Sequence, residues 1–285
     1  MKSIYIKVLL IVIGLNLVSC TKEISVDVAH VPQTIIHGQL NNLNQTVSIS
    51  IQQTLPLNSS ESFKAINDAT ISLFEKNNGG NTALVTDSFS VSNGIYSSAQ
   101  TIPTTVGNLY WIEVALPDGS RFKSAEEVMN PVVPISEIQV GDQFEPVLNI
   151  IFSDPENTTN FYQLSVALYN QGQLVSVNSN ESNDVIFDGN EQASLEIDIL
   201  RFTEDDEPII YDSVEILLGN INFESYQFLL NQRIQQGANE DANDSSPSQL
   251  FSTPPVNLLG NITNQTTNRT ILGNFSISAL SVENQ

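Results

Sequence analysis

Apolar and polar residues alternate with a period of two in several short stretches of this 285-residue chain. Val47, Ile49 and Ile51 alternate with two serines, and the same pattern recurs in residues 162–168 and 195–199. Because successive side chains of a β-strand point to opposite faces, each stretch predicts a strand with one buried and one solvated face. Such strands are typical of antiparallel sheets.

Turn-forming sequences separate the predicted strands. Asn93-Gly94, Pro117-Asp118-Gly119 and Asp188-Gly189 combine the residue types that tight turns require. Many short strands joined by such turns predict a mainly β protein built from antiparallel, Ig-like β-sandwiches.

A proline-rich junction divides the strand pattern into two parts. Pro131 and Pro134 stand close together, and proline does not continue a central strand. We therefore predict two tandem β-sandwich domains, residues 31–130 and residues 131–285.

One helix is predicted inside the second domain, over roughly residues 222–236. Asn222 is the expected N-cap and Gly237 the expected C′ residue, and residues 237–247 are expected to form a mobile acidic loop. The apolar stripe that indicates this helix consists of Phe223, Tyr226, Leu230 and Ile234.

The chain begins with a short apolar run behind positive charges. Lys2 and Lys7 introduce the run Val8–Leu17, which is too short for a ~30 Å hydrocarbon core that takes about 20 apolar residues. Residues 1–19 are therefore predicted to be an export signal. They lead directly into Cys20, the one cysteine of the chain.

The residues around Cys20 resemble the lipobox of bacterial lipoproteins, with Leu17 at −3 and Ser19 at −1. The resemblance implies cleavage before Cys20 and acylation of its thiol, which makes residues 20–30 a lipid-anchored tether. Lys22-Glu23 weakly resembles the short charged tags of surface lipoproteins. We expect an outer-membrane anchor at the cell surface, with the periplasmic face and an ordinary signal peptide as alternatives.

The N-terminal half also carries a characteristic spacing of glycines and aromatic residues. Ser92–Tyr96 reads S-N-G-I-Y, and Val106–Gly119 adds a second glycine and ends in Pro-Asp-Gly. This spacing resembles transthyretin-like and collagen-adhesin-B-type sandwiches. Because Tyr110 and Trp111 lie within the apolar run of this segment, we place them in the core, the alternative being a sugar-binding platform.

Nearly the whole chain resembles an uncharacterised lipoprotein family of the Bacteroidota, a domain-of-unknown-function family whose members are often encoded beside TonB-dependent outer-membrane transporters. The resemblance implies an accessory role at the outer membrane and supplies no catalytic residues. It rests on Ser19–Ile24, Pro117–Gly119, the proline-rich junction, Tyr226, Leu250–Ile262 and Gly273–Ala279.

Charge and motif content argue against nucleic-acid binding and against catalysis. The 32 acidic and 10 basic residues give a formal charge of −22, which repels a phosphate backbone. The sequence has no nucleophile elbow, dinucleotide fingerprint or P-loop. His30 and His37 are seven residues apart, so on one strand they would face opposite ways and share no metal. We predict that the protein is not an enzyme.

Acidic residues cluster around residues 181–191. Calcium is the metal that such oxygen-rich loops hold, and Asp184, Asp188 and Glu191 are weak candidate ligands, with residues 154–157 as a further loop. The EF-hand spacing fails, because Ile186 and Leu195 stand where ligands are needed. The favoured interpretation is a set of solvated acidic loops without metal.

These observations predict an outer-membrane lipoprotein that acts as a non-catalytic accessory or ligand-binding component of a TonB-dependent transport system. The alternative is a free-standing surface adhesin or glycan-binding module. Cys20 is the only functional residue that the sequence indicates directly.

Overall fold

The computed structural model describes residues 30–56, 59–141, 147–199, 207–243 and 258–284. Within the helix, side chains are described only as far as Gly237, and the next described side chain is that of residue 258. The predicted export signal and Cys20 lie outside the described residues, as does nearly all of the predicted tether. Within the described part, the chain is mainly β with one helix, as the sequence predicts.

The described chain consists of nineteen strands and helix α1 (Phe223–Asn243). The strands are β1 (Thr34–Asn41), β2 (Ser48–Thr54), β3 (Phe63–Ala65), β4 (Thr70–Lys76), β5 (Thr82–Thr86), β6 (Phe89–Ser92), β7 (Ile95–Ser98), β8 (Leu109–Ala115), β9 (Arg121–Ser124), β10 (Glu127–Val128), β11 (Ile135–Val140), β12 (Val147–Phe152), β13 (Phe161–Asn170), β14 (Gln173–Asn183), β15 (Ala193–Asp198), β16 (Ser213–Ile221), β17 (Leu259–Asn264), β18 (Arg269–Leu272) and β19 (Phe275–Asn284).

The strands form one large branched sheet and one small sheet. The main path of the large sheet runs β14-β13-β16-β19-β1-β18-β17-β9-β8-β4-β5, and the small sheet is β11-β12-β15. Most neighbours are antiparallel, but β1 runs parallel to β19, with Gly38 opposite Phe275. The sheet is therefore mixed rather than purely antiparallel.

The alternation in the sequence matches the burial of the strands. Val47, Ile49 and Ile51 are fully buried, as are their counterparts Tyr162 and Leu164 in β13. Because these side chains share one face of each strand, they supply the apolar layer between packed sheets.

Buried apolar residues form two clusters. The first core combines residues 36–129 with residues 262–279, and the second core combines residues 133–218. The proline-rich junction therefore lies between the cores, whereas the C-terminal strands complete the first one. The segment assigned to the second domain thus contributes to both cores, and the described residues from Pro32 onward form one compact unit.

Helix α1 is longer than the sequence indicates. The prediction that it ends at residue 236 with Gly237 as C′ is wrong, because the helix continues to Asn243. A C′ glycine needs a positive φ, and Gly237 is not among the residues that have one. A glycine inside a helix costs about 1 kcal/mol relative to alanine, which is small enough for the helix to continue through it. The remaining residues of the expected loop, 244–247, lie outside the described part.

The buried face of α1 also differs from the predicted stripe. Tyr226 and Phe228 are buried, whereas Phe223 and Ile234 are 51% and 55% exposed. The first turns of the helix pack on the strands through rings such as Tyr226 against Phe161, whose centroids lie 5.0 Å apart. Asn222 stands before the helix, and its carbonyl accepts a hydrogen bond from the Tyr226 N–H.

No helix in the described part of the chain has the length and apolar character that crossing a membrane requires.

Candidate functional site

A groove of about 650 Å³ lies between β14, β15 and α1. Strands β14 and β15 each stand at the edge of a sheet, and the helix provides the facing wall. The lining is dominated by amide, carboxylate and guanidinium groups. They belong to Asn178, Asn180, Glu181, Glu196, Asp198 and Arg233.

Arg233 fixes the helix to strand β14 at this groove. Its guanidinium donates hydrogen bonds to the Asn180 side-chain oxygen at 2.6 Å, to the Ser179 carbonyl at 3.0 Å and to the Glu181 carboxylate. The side chain of Glu181 is only 3% exposed, whereas that of Arg233 is 42% exposed. Burial raises the pKa of Glu181, and the positive charge of Arg233 opposes that rise.

Asparagine side chains join the two sheet edges. The Asn178 amide donates to the Asp198 carbonyl at 3.0 Å, and the Asn180 amide donates to the Glu196 carbonyl at 3.3 Å. Both carbonyls point away from β12, the strand that pairs with β15. The asparagine amides therefore satisfy backbone groups that an edge strand leaves without a partner strand. The groove is therefore lined mainly by side chains.

A second polar feature is the carboxylate cluster of Asp154, Asp184 and Asp188. One ligand oxygen from each residue lies within 4.8 Å of the others. Asp154 and Asp184 are each 3% exposed, so for these two residues the prediction of solvated loops is wrong. Glu191, the third residue that the sequence suggested as a ligand, does not belong to this cluster.

Protein donors satisfy the buried oxygens of the carboxylate cluster. Asp154 accepts hydrogen bonds from the Tyr162 hydroxyl at 2.5 Å and from the Gly189 N–H at 2.9 Å. Asp184 accepts one from the Asn160 N–H at 2.5 Å. Burial, together with the hydrogen bond to Asp154, raises the pKa of Tyr162 far above its usual range, so the phenol keeps its proton and donates it.

The carboxylate cluster offers the oxygen ligands that Ca²⁺ uses. Its buried carboxylates already accept hydrogen bonds from protein donors, and these bonds account for their burial without a metal ion. Calcium takes six to eight oxygen ligands, of which three carboxylates supply only part. The pairing of Phe161 with Asn183 brings the loop at Asp154 beside the turn at Asp184. Sequence spacing gives no indication of this pairing, because the two segments are 30 residues apart.

A buried glutamate in β10 is a feature that the sequence did not indicate. Glu127 is 2% exposed, and its Oε1 accepts a hydrogen bond of 2.7 Å from the Asn261 amide. Its Oε2 has no hydrogen-bond partner among the described residues. Burial raises the pKa of Glu127 to about 7, and the Asn261 amide opposes this rise.

The other residues that the sequence singled out lie outside the groove and the carboxylate cluster. Tyr110 and Trp111 are 0% and 4% exposed, which confirms their place in the core and not on a sugar platform. His37 lies on β1 and stacks on Phe228 of α1, with ring centroids 5.9 Å apart. Neither His30 nor His37 belongs to the groove or to the carboxylate cluster.

A family model described as a domain of unknown function (DUF4249) matches residues 21–283. The match begins one residue after Cys20, so it leaves the predicted export signal outside. The sequence matches none of the curated proteins.

Three solved structures show a distant likeness to the chain. A DUF4785 family protein from Legionella pneumophila has 8% identity and a TM-score of 0.27, and the match covers 66% of this chain and 51% of that one. The FN1–FN3 domains of chicken CNTN1 have 12% identity and a TM-score of 0.22, with 66% and 60% covered. Dimeric latent PorU from Porphyromonas gingivalis has 10% identity and a TM-score of 0.21, with 88% and 20% covered.

The chain thus spans about half the length of the Legionella protein that it matches. At these TM-scores none of the three structures carries an argument about function.

Proposed function

The chain belongs to the family described as a domain of unknown function (DUF4249), and from this premise we propose that it is an outer-membrane lipoprotein of the Bacteroidota. Its role in this proposal is that of a non-catalytic, ligand-binding accessory to a TonB-dependent transporter. The anchor is the acylated thiol of Cys20, and the body of the protein stands at the cell surface.

The observation that carries the proposal is the position of the one cysteine. Cys20 ends a lipobox-like sequence, and the family match begins at the next residue. This coincidence supports an export signal that is removed at Cys20 and a mature chain that the family shares. Each buried CH₂ of an acyl chain contributes about 0.8 kcal/mol, so a multiply acylated cysteine stays in the membrane.

The groove supports the ligand-binding part of the proposal. Its volume of about 650 Å³ falls in the range of small-molecule sites. It presents hydrogen-bonding groups from two strands and a helix, and neither described histidine lies among the lining residues. Such a lining suits recognition of a polar ligand more than nucleophilic chemistry.

Co-purification from detergent-solubilised outer membrane tests the accessory role. An affinity-tagged chain should recover a TonB-dependent transporter. The tagged Cys20→Ala variant is the matched control and should recover less, because it lacks the proposed anchor. Repeated recovery of the tagged chain without any transporter contradicts the accessory role.

A free-standing surface adhesin or glycan-binding module is the second candidate function. The polar lining of the groove favours it, since hydroxyl-rich ligands need many hydrogen-bonding partners. Uptake through the transporter that is unchanged when this chain is deleted, together with a loss of cell adhesion to glycan surfaces, would favour this candidate over the accessory role.

A further inference from the structure

The groove between β14, β15 and α1 presents planar polar side chains together with a smaller apolar surface. Asn178, Asn180, Glu196, Asp198 and Gln236 all line it. Amide and carboxylate groups of this kind pair with neighbouring hydroxyls, because each offers two polar atoms in one plane. Leu229 adds a limited apolar surface beside them.

The backbone of the groove is poorly suited to an added peptide strand. Strand addition to an edge relies on free main-chain hydrogen-bonding groups. The carbonyls of Glu196 and Asp198 already accept hydrogen bonds from the Asn180 and Asn178 amides. A peptide would have to break these bonds before it could pair with β15, whereas a ligand that contacts side chains would leave them intact.

The charges of the groove disfavour anionic ligands. Its one guanidinium, that of Arg233, is already paired with the buried Glu181, and the carboxylates of Glu196 and Asp198 are exposed. A phosphate or an acidic sugar would face two free negative charges without a free cation among the described lining residues. A neutral ligand with many hydroxyls avoids this repulsion.

We propose that this groove binds a neutral oligosaccharide through the side chains of β14, β15 and α1. This inference deepens the proposed function, because it rests on the ligand-binding role and names the class of ligand. None of the described lining residues is aromatic, so the stacking that strengthens many sugar sites is missing. The binding is therefore weak for a single ligand and gains from repeated ligands on a polymer.

Binding measurements on the full-length chain, purified in detergent micelles, test the proposal. The probes are neutral cello-, xylo-, manno- and chito-oligosaccharides, acidic galacturonate oligomers and a library of short peptides. At least one neutral oligosaccharide should bind, and the galacturonate oligomers should bind at least tenfold more weakly. Calorimetric titration then gives the affinity of the best probe.

Two exposed glutamines of helix α1 make a matched pair of variants. Gln236 lines the groove, whereas Gln227 is exposed on the same helix outside it. Gln236→Ala and Asp198→Ala should each weaken binding at least fivefold, while Gln227→Ala leaves the affinity unchanged. Both glutamines lie on the surface, so neither substitution is expected to disturb folding.

Three results would overturn the proposal. They are the absence of binding by every neutral probe, tighter binding of peptides or galacturonates, and equal effects of the Gln236 and Gln227 substitutions. These measurements use isolated protein and do not depend on a transporter. Failure here therefore leaves the anchor and the accessory role to be judged by co-purification and fractionation.

Discussion

The side-chain amide of Asn261 donates a hydrogen bond of 2.7 Å to the buried carboxyl of Glu127. The same amide donates to the Phe275 carbonyl at 2.7 Å, and the Phe275 N–H returns a bond of 2.9 Å to the Asn261 oxygen. Asn261 of β17 therefore connects β10 to β19 by hydrogen bonds. Because Glu127 accepts one of these bonds, its protonation state affects this junction of three strands that are distant in the sequence.

This junction predicts that the protein loses stability as pH rises through neutrality. The pKa of Glu127 is about 7 in the folded protein against an ordinary value of 4.5, so the folded state binds the proton more tightly than the unfolded state. The resulting stabilisation is complete below pH 4.5 and is lost as pH rises through 7, by at most roughly 3 kcal/mol.

Denaturant titrations at pH 5 and pH 8 measure this effect. In the Glu127→Gln variant the free energy of unfolding should change less between the two pH values, because the amide does not titrate. An equal change in wild type and variant would show that another group is responsible.

The ion pair of Arg233 and Glu181 predicts that a second substitution, at Glu181, partly reverses the loss of stability caused by a substitution at Arg233. Arg233→Ala leaves the buried Glu181 carboxylate without its charged partner and should cost roughly 1–3 kcal/mol of unfolding free energy. Adding Glu181→Gln to that variant should restore part of the loss, since the unpaired charge is gone. If the double variant is less stable than Arg233→Ala alone, this explanation fails.

Gly273 makes a close backbone contact that no other residue can reproduce. Its φ is +99°, and a Cβ there would lie 1.9 Å from the Ile36 carbonyl oxygen. Gly273→Ala should therefore lower the unfolding free energy by more than roughly 3 kcal/mol.

Gly119 provides the matched control for this substitution. It also has a positive φ, +91°, but a Cβ there meets nothing within 4 Å. Gly119→Ala should cost only about 1 kcal/mol, which isolates the clash from the backbone strain. If thermal or denaturant unfolding showed that Gly119→Ala and Gly273→Ala lose similar amounts of unfolding free energy, the proposed clash at Gly273 would be contradicted.

The carboxylate cluster predicts little response to calcium removal. Protein donors already satisfy the buried oxygens of Asp154 and Asp184, so EDTA should leave the melting temperature unchanged. A calcium site would instead be identified if EDTA lowered the melting temperature of the wild-type protein and added calcium restored it. Calcium should then fail to restore the melting temperature of the Asp188→Ala variant.

The sequence predicted features that depend on local periodicity. The alternation of Val47, Ile49 and Ile51 placed a half-buried strand correctly, and Tyr110 and Trp111 lie in the core where their apolar run put them. These predictions succeed because burial of one strand face follows directly from residue order.

Features that depend on distant pairing were beyond the sequence. The parallel pairing of Gly38 with Phe275 brings C-terminal strands into the first core, and the pairing of Phe161 with Asn183 assembles the carboxylate cluster. No local pattern encodes these partners. The groove was missed for the same reason, because its walls come from the edge strands of two different sheets and from a helix, and no local pattern brings these elements together.

Membrane fractionation of the Cys20→Ala variant tests the central claim most directly. Wild-type protein should sediment with the outer membrane and incorporate labelled palmitate, and Thr21→Ala, which keeps the thiol, should behave in the same way. The Cys20→Ala variant should lose both the label and the sedimentation. If it still sediments with the membrane as wild type does, the claim of a lipid anchor at Cys20 is wrong.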